Sequence, residues 1–133
     1  MVQDTNLIKD KIISFLKNDG PSLPVRIAKE IESSTLFTSA FLSELLAEER
    51  IKISVMKIGN SPLYFALGQE NMLKNFSQHL NSKEKEAFFL LREKKFLVDS
   101  EQEPSIRVAL RAIRDFAKPF KKPDTDEIIW RYF

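Results

Sequence analysis

The chain has 133 residues, of which 43% are hydrophobic and 30% are charged, and its formal net charge is +2. This length suits one domain, or one domain with a short extension, and the mixture of positive and negative charges indicates a folded, soluble chain rather than disorder. The absence of cysteine excludes disulfides, thiolate chemistry and cysteine-ligated zinc, and the single histidine, His79, removes most histidine-based metal and catalytic sites.

Targeting and membrane segments are also absent from the sequence pattern. No apolar run approaches the length of about 18 residues that is typical of a membrane span. The N-terminal sequence MVQDTNLIKD has no basic region followed by an apolar region, so it predicts no signal peptide. We therefore expect a cytoplasmic protein, which would be nucleoid-associated if it binds DNA.

Catalytic signatures are equally missing. Three glycines in the whole chain leave no glycine-rich phosphate loop, and no serine, histidine and aspartate are arranged as a triad. The sequence therefore predicts no catalytic residues, no metal site and no cofactor, and we expect that the protein is not an enzyme.

Apolar residues at helical spacing predict three helices in the first half of the chain. The first begins at a Thr5 or Asn6 cap and ends at Asp19-Gly20, and Pro24–Glu32 forms the second. Hydroxyls from Ser33 to Thr35 can cap a third helix of about Phe37–Glu49. The predicted buried face of this third helix consists of Phe37, Phe41, Leu42 and Leu45.

The hydrophobic period then changes from helical to alternating, which predicts a β-hairpin. Ile51, Ile53 and Val55 alternate with polar or longer side chains, the turn is Gly59-Asn60-Ser61-Pro62, and Leu63–Ala66 returns as the second strand. Helix, helix, turn, helix and hairpin is the element order of a winged helix-turn-helix domain.

The segment TSAFLSELLAEERIKIS followed by KIGNSPLYFALGQE resembles the winged helix-turn-helix superfamily. More narrowly, it is similar to a group of small archaeal winged-helix proteins of unassigned activity, over about Ile8–Phe120. The superfamily resemblance implies the fold, and it implies nucleic-acid binding only as the commonest use of that fold.

We expect a winged helix-turn-helix domain over residues 1–68 and, over residues 69–133, a helical extension that packs on it or forms a dimer interface. The predicted fold class is α+β, mainly α with a small β-hairpin. The helices expected in the extension are Gln69–Leu80, Lys83–Lys95 with an Asn81 or Ser82 cap, and Pro104–Lys118, and its polar connectors are Asp99–Glu103 and Lys121–Asp126. Glu127–Phe133 is predicted to form a terminal strand, and three alternatives stay open: it pairs with the wing, it completes a dimer, or it is cut from a longer chain.

The third helix offers a small, smooth exposed face, which we name the third-helix face and which consists of Ser39, Ala40, Ser43 and Ala47. It contains no Arg, Lys, Asn or Gln, the residues that make bidentate contacts with bases, and Glu44 lies beside it. Two interpretations stay open: the helix sits deep in a DNA groove, or it admits a partner helix or strand at close range.

The hairpin, which would be the wing, carries Lys52 and Lys57, with Asn60 at its tip. Short basic wings often contact phosphate or the minor groove, although an ordinary solvated hairpin has the same composition.

The last predicted helix places four cations at 4-3-4 spacing, within about 60° of one another around the axis. These residues, which we name the basic ridge, are Arg107, Arg111, Arg114 and Lys118. Their expected partners are phosphates or acids from elsewhere in the fold. The candidate internal acids are Glu84, Glu86, Glu93, Glu101 and Glu103.

The favoured function is therefore nucleic-acid binding, with DNA as the first candidate and RNA as a possible partner, in a transcriptional regulator or chromosome-associated factor. One alternative is a protein-interaction adaptor or homodimer that uses the third-helix face or the segment Ile128–Phe133. Another is a factor that binds the ribosome or structured RNA through the basic ridge.

Overall fold

A computed structural model describes residues 4–133 of the chain and gives an α+β fold, as the sequence predicts. Residues 1–3 lie outside the described residues. They are the start of the predicted first domain and of the N-terminal sequence that predicts no signal peptide. The chain divides into two compact units, one that ends at Met72 and one that comprises residues 73–133. Within residues 4–133, no helix is both long enough and apolar enough to cross a bilayer.

Three helices open the first unit, close to the predicted positions: α1 (Thr5–Asp19), α2 (Pro24–Glu30) and α3 (Thr35–Ala47). The cap of α1 is Asp4, whose carboxylate accepts hydrogen bonds from two backbone N–H groups, so the prediction of Thr5 or Asn6 as the cap is wrong. The hydroxyl of Ser34 caps α3 by accepting a hydrogen bond from the N–H of Phe37, and this confirms the predicted capping segment.

The core of the first unit forms where the three helices meet the hairpin. Its fully buried side chains are Ile12, Leu16, Ile27, Leu42, Leu45, Ile51 and Ala66. Phe37, which we expected inside, is 63% exposed, and Thr38 is buried in its place. The helix begins two residues earlier than predicted, and the hydroxyl of Thr38 donates to the carbonyl of Ser34, which satisfies this polar group inside the protein.

The wing consists of two antiparallel strands, β1 (Ile51–Ile58) and β2 (Ser61–Ala66). A register shift between Ile53 and Lys57 interrupts the simple alternation predicted for β1. Ser54 stabilises this irregularity because its hydroxyl donates to the carbonyl of Met56 and accepts from the N–H of Leu63. As a result Ser54 is buried, whereas Ile53 is 42% exposed.

One further backbone pair fixes the hairpin to the helices. Ser22, between α1 and α2, exchanges both of its backbone hydrogen bonds with Tyr64 of β2, each at 2.9 Å. The order of three helices followed by a hairpin is the order that the sequence predicts for this unit.

The second unit contains two α-helices and a three-stranded antiparallel sheet. The elements that follow the wing are a 3₁₀ helix at Glu70–His79, α4 (Ser82–Lys94), β3 (Phe96–Val98), a 3₁₀ turn at Asp99–Glu101, α5 (Pro104–Ala112), β4 (Ala117–Lys121) and β5 (Ile128–Tyr132). Asn81 forms a capping box with Glu84 at the start of α4, which confirms the predicted cap.

The extension has more strand than the sequence suggests. The helix predicted to reach Lys118 ends at Ala112, and Ala117–Lys121 forms a strand. The connector predicted at Asp99–Glu103 begins with a 3₁₀ turn that follows β3, and residues 117–121 pair with β5 through five registered positions. Strand pairing gives the backbone N–H and C=O groups of residues 117–121 hydrogen-bond partners in β5. Because these groups are satisfied in this way, residues 117–121 form a strand and do not continue the helix.

The terminal strand is the centre of the sheet, whose order is β3-β5-β4. The predicted strand is confirmed, and its partners lie within its own unit rather than in the wing. Trp130 points inward and is 1% exposed, in a core that also contains Phe88 and Phe116. The rings of Phe88 and Phe116 pack edge to face with their centroids 4.9 Å apart.

A buried carboxylate joins three elements of the second unit. Asp99 is 3% exposed and accepts hydrogen bonds from the guanidinium groups of Arg107 and Arg111 on α5, at 2.7 to 3.1 Å. It also accepts a hydrogen bond of 2.9 Å from the indole N–H of Trp130 on β5. The hydrogen bonds from Arg111, Trp130 and Arg107 hold the pKa of the Asp99 carboxyl well below its usual range, although burial acts in the opposite direction.

Replacing Asp99 should destabilise the second unit and remove a pH-dependent contribution. We expect Asp99→Asn to lower the free energy of unfolding at pH 7 by about 2–4 kcal/mol, because hydrogen bonds to a charged group are lost and the amide cannot accept them all. Asp126→Asn, at an exposed carboxylate, is the matched control and should have little effect.

The sign of the pH effect follows from the lowered pKa. The carboxylate stabilises the folded state fully above its unfolded pKa of about 3.9, and this contribution is lost as the pH falls toward the folded value. Urea denaturation between neutral and acidic pH, followed by circular dichroism, should therefore show the wild type and Asp99→Asn converging below about pH 4. A difference that stays constant across this range would contradict the assignment.

Candidate nucleic-acid interface

The third-helix face is exposed as predicted, and it is more apolar than predicted. Ser39, Ala40, Ser43 and Ala47 are exposed. Leu36 and Phe37, in the first turn of α3, extend this surface with exposures of 76% and 63%. No cation of α3 lies on it, because the helix contains none. Such a surface carries no positive charge that would attract a phosphate.

The acids beside this face have an internal partner. The ammonium of Lys9, on α1, lies 3.0 Å from a carboxylate oxygen of Glu44 and 2.9 Å from one of Glu48. These hydrogen bonds raise the pKa of Lys9, and the hydrogen bond from Lys9 lowers the pKa of Glu48. The negative charge near the third-helix face is thus partly neutralised from within the first unit.

The two lysines predicted for the wing differ in their ion pairing. Lys52 is ion-paired with Glu70 at 2.8 Å, whereas the part of the chain that the structure describes contains no ion pair of Lys57. Lys57 and Asn60 are exposed, at one end of β1 and at the tip of the turn. A single free lysine is weak support for a phosphate-contacting wing.

The basic ridge does not exist as a continuous helical surface. Arg107 and Arg111 lie on α5, but Arg114 follows the end of the helix and Lys118 is in β4. The two arginines on the helix bind Asp99 instead of facing an open phosphate track. Arg111 also lies over the ring of Trp130, with its guanidinium carbon 5.5 Å from the ring centroid. Asp99 was not among the internal acids considered from the sequence.

The solvent-facing side of the second unit's sheet carries two cations, Lys118 and Arg131, on neighbouring strands. Cross-strand pairing places its side chains in two rows, and we name this surface the outer sheet face. The first row is Phe96, Arg131 and Lys118, and the second row is Val98, Ile129 and Phe120. Neither row contains an acidic residue. Alternation along the strands directs Leu97 and Trp130 to the opposite, buried side.

A cleft of about 290 Å³ lies at the edge strand β4, where Phe120 borders it. Its other sheet residues belong to the side of the sheet opposite the outer sheet face, because they alternate with the residues of that face along the strands. Its basic lining residues are Arg111, Arg114 and Lys121, and its apolar ones are Pro119, Phe120, Ile128 and Trp130. No acidic residue lines it. Among residues 4–133, Arg114, Lys118, Lys121 and Arg131 take part in no ion pair, while Arg111 is held by Asp99.

Sequence reasoning missed Phe96, Phe120 and Arg131 as candidate site residues. A signal was present, because KKFLV and KPFKK each place a phenylalanine next to a lysine. It was hidden because the second of these segments was divided between a predicted helix and a polar connector. Recognising both as strands next to the terminal strand would have brought the two phenylalanines together.

Comparisons with known proteins leave the family open. No protein-family model and no curated protein matches the chain. The chain is similar in structure to the hypothetical protein PyrSV_gp04 from Pyrobaculum spherical virus, with a TM-score of 0.49 and 16% sequence identity, covering 98% of this chain and 97% of that chain. A likeness of this degree supports no inference about function, and the resemblance to archaeal winged-helix proteins stays a prediction.

Proposed function

We propose that this protein binds nucleic acid and that the second unit supplies the main contacts with phosphate. The single observation that carries the proposal is the group of four cations, Arg114, Lys118, Lys121 and Arg131, that surrounds one sheet and cleft without an acidic partner in residues 4–133. Cations grouped without counter-charges repel one another, and phosphates of a polyanion remove that repulsion.

The arrangement of charge within the unit supports this choice. Arg107 and Arg111 both bind Asp99, so of the four cations predicted for the basic ridge Arg114 and Lys118 are those without an acidic partner among residues 4–133. Lys118 donates one hydrogen bond to the carbonyl of Arg114 at 2.9 Å, which leaves two of its three ammonium protons for a ligand. The wing, through Lys57 and Asn60, is a secondary contact in this proposal. A cytoplasmic or nucleoid-associated location would follow from it.

Removing two of the four cations should weaken binding in a salt-dependent way. We expect Lys118→Ala/Arg131→Ala to bind more weakly than wild type to duplex DNA, oligothymidine and an RNA hairpin. The slope of log affinity against log salt should become shallower by about 1.4 to 1.8, since each phosphate contact contributes about 0.7 on single strands and 0.9 on duplex. Fluorescence anisotropy over a series of salt concentrations measures both quantities.

The matched control removes the same charge elsewhere. Lys11→Ala/Lys17→Ala changes two exposed lysines of α1 and should leave the affinity and the salt slope close to wild type. If the wild-type protein binds none of the three nucleic acids at low salt, the proposed function is wrong. If both double variants weaken binding equally, the phosphate contacts do not lie on the second unit's sheet.

A second candidate function is self-association through α3, and the exposure of Leu36 and Phe37 favours it. Two large apolar side chains in one helical turn, followed by the small residues Ala40, Ser43 and Ala47 at helical spacing, form a surface that another helix can approach closely. We propose a second copy of this chain as the occupant, because a two-fold contact of α3 with itself would pair apolar with apolar surface.

Ser43→Arg separates the two uses of the third-helix face. A large cation at its centre should prevent close helix packing and abolish a dimer, whereas a DNA groove would accept it and bind at least as tightly as before. Sedimentation equilibrium measures the oligomeric state, and Leu67→Arg, at another exposed apolar position of the first unit, is the control. A wild-type protein that sediments as a monomer would refute the self-association.

A further inference from the structure

The outer sheet face joins the free cations to two exposed aromatic rings. Phe96 is 55% exposed and Phe120 is 42% exposed, although both belong to strands of a well-packed sheet. Their ring centroids are 6.4 Å apart and the ring planes are nearly perpendicular, at 87°. Ile129 of the central strand and its neighbour Val98 of β3 are half-buried, so the centre of the face is apolar.

Charged groups lie in the neighbouring row of the same face. Arg131 pairs across the strands with both Phe96 and Lys118, so a guanidinium and an ammonium lie beside the aromatic rings. At the edge of the sheet, Arg114 and Lys121 line the cleft that borders Phe120. The outer sheet face thus combines ring surfaces, which contact flat apolar groups, with two cations, Arg131 and Lys118, that contact an anionic chain, and the cleft adds Arg114 and Lys121 around the edge of β4.

We propose that the outer sheet face binds single-stranded nucleic acid, with bases stacked on Phe96 and Phe120 and phosphates on the surrounding cations. This inference rests on the proposed function and specifies its site and the form of its ligand. In a duplex the flat surfaces of the bases are hidden by their neighbours, so an aromatic ring on an open sheet can stack only on unpaired bases. Such stacking tolerates any base, because every base has a π surface, and we expect little sequence preference.

The charge of the face argues against an ordinary protein partner. Its two rows and the cleft contain no acid, so the face as a whole complements a polyanion. An anionic membrane surface also combines apolar and anionic groups. The experiment therefore includes binding to vesicles of anionic phospholipid as one of its outcomes.

The test replaces the aromatic rings and keeps the charges. We expect Phe96→Leu/Phe120→Leu to bind oligothymidine and oligouridine at least about 20-fold more weakly than wild type, since losing one base stack typically costs at least fivefold. The affinity for duplex DNA should change much less, and the salt slope on single strands should stay the same, because no phosphate contact is removed. Oligothymidine and oligouridine distinguish a DNA ligand from an RNA ligand.

Two controls separate stacking from damage to the fold. Phe89→Leu alters a phenylalanine of α4 that is 48% exposed and lies outside the outer sheet face, and it should bind like wild type. Phe96→Tyr/Phe120→Tyr keeps both rings and should retain most of the affinity. The fluorescence of the single tryptophan, Trp130, which is buried beneath the sheet, should be unchanged in every variant.

The outcomes distinguish this inference from the broader proposal. If Phe96→Leu/Phe120→Leu binds single strands like wild type while Lys118→Ala/Arg131→Ala binds them weakly, the protein binds nucleic acid but not by stacking on this face. If the wild type binds no nucleic acid yet sediments with vesicles of anionic phospholipid, and the leucine variant does not, the face is a lipid-binding surface. Either result overturns the inference, and only the second also overturns the proposed function.

Discussion

The second unit depends on the placement of one carboxylate. Asp99 begins the 3₁₀ turn after β3, and its oxygens receive hydrogen bonds from α5 and from β5. A carboxylate that is 3% exposed is costly unless its charge and its oxygens are satisfied, and two guanidinium groups and an indole N–H satisfy them here. Helix α5 and the central strand β5 are therefore held at fixed positions around this residue, and Trp130 is buried between them.

This constraint decides which charges remain for a ligand. The most regular basic pattern in the sequence, Arg107 and Arg111 one helical turn apart, is directed at Asp99 and serves the fold. The cations without an internal partner come from less regular positions, in the turn after α5 and on the strands. Because Trp130 is held inward by its hydrogen bond to Asp99, the residues on either side of it in β5, Ile129 and Arg131, are directed outward. The internal ion pairs and the outer sheet face are thus two consequences of the same geometry.

The sequence predicted the elements whose patterns are local. The three helices, the hairpin, the Asn81 cap and the terminal strand follow from spacing, capping residues and turn residues that lie close together in the chain. The errors concern elements that distant contacts decide. Ile113, Phe116 and Ala117 have the spacing of a buried helix face, and all three are fully buried. They are buried from a turn and a strand rather than from a helix, because residues 117–121 pair with a strand that comes later in the chain.

Other errors have the same origin. Pro119 directly follows the helix predicted for Pro104–Lys118, but it lies in β4, an edge strand, where a missing N–H is tolerated. The exposure of Phe37 and the irregularity of β1 depend on the polar residues Thr38 and Ser54, each of which finds a hydrogen-bond partner inside the protein. A periodicity argument counts such residues as outward-facing. The role of Asp99 was invisible for the same reason, since its three partners lie 8 to 31 residues away in the chain.

The two units present surfaces of opposite chemical character, and this contrast bears on the function implied by the winged-helix resemblance. The first unit has the element order of a winged helix-turn-helix, but the helix that would enter a DNA groove contains no cation and exposes Leu36 and Phe37. Phosphate attraction supplies a large share of nucleic-acid affinity, and shape alone cannot replace it. The resemblance therefore stays a prediction for the first unit, and the composition of α3 argues against a role for this helix in DNA recognition. On these grounds we propose the cations and aromatic rings of the second unit's sheet, rather than α3, as the contacts for a nucleic acid, whereas the surface of α3 has the composition of a protein contact.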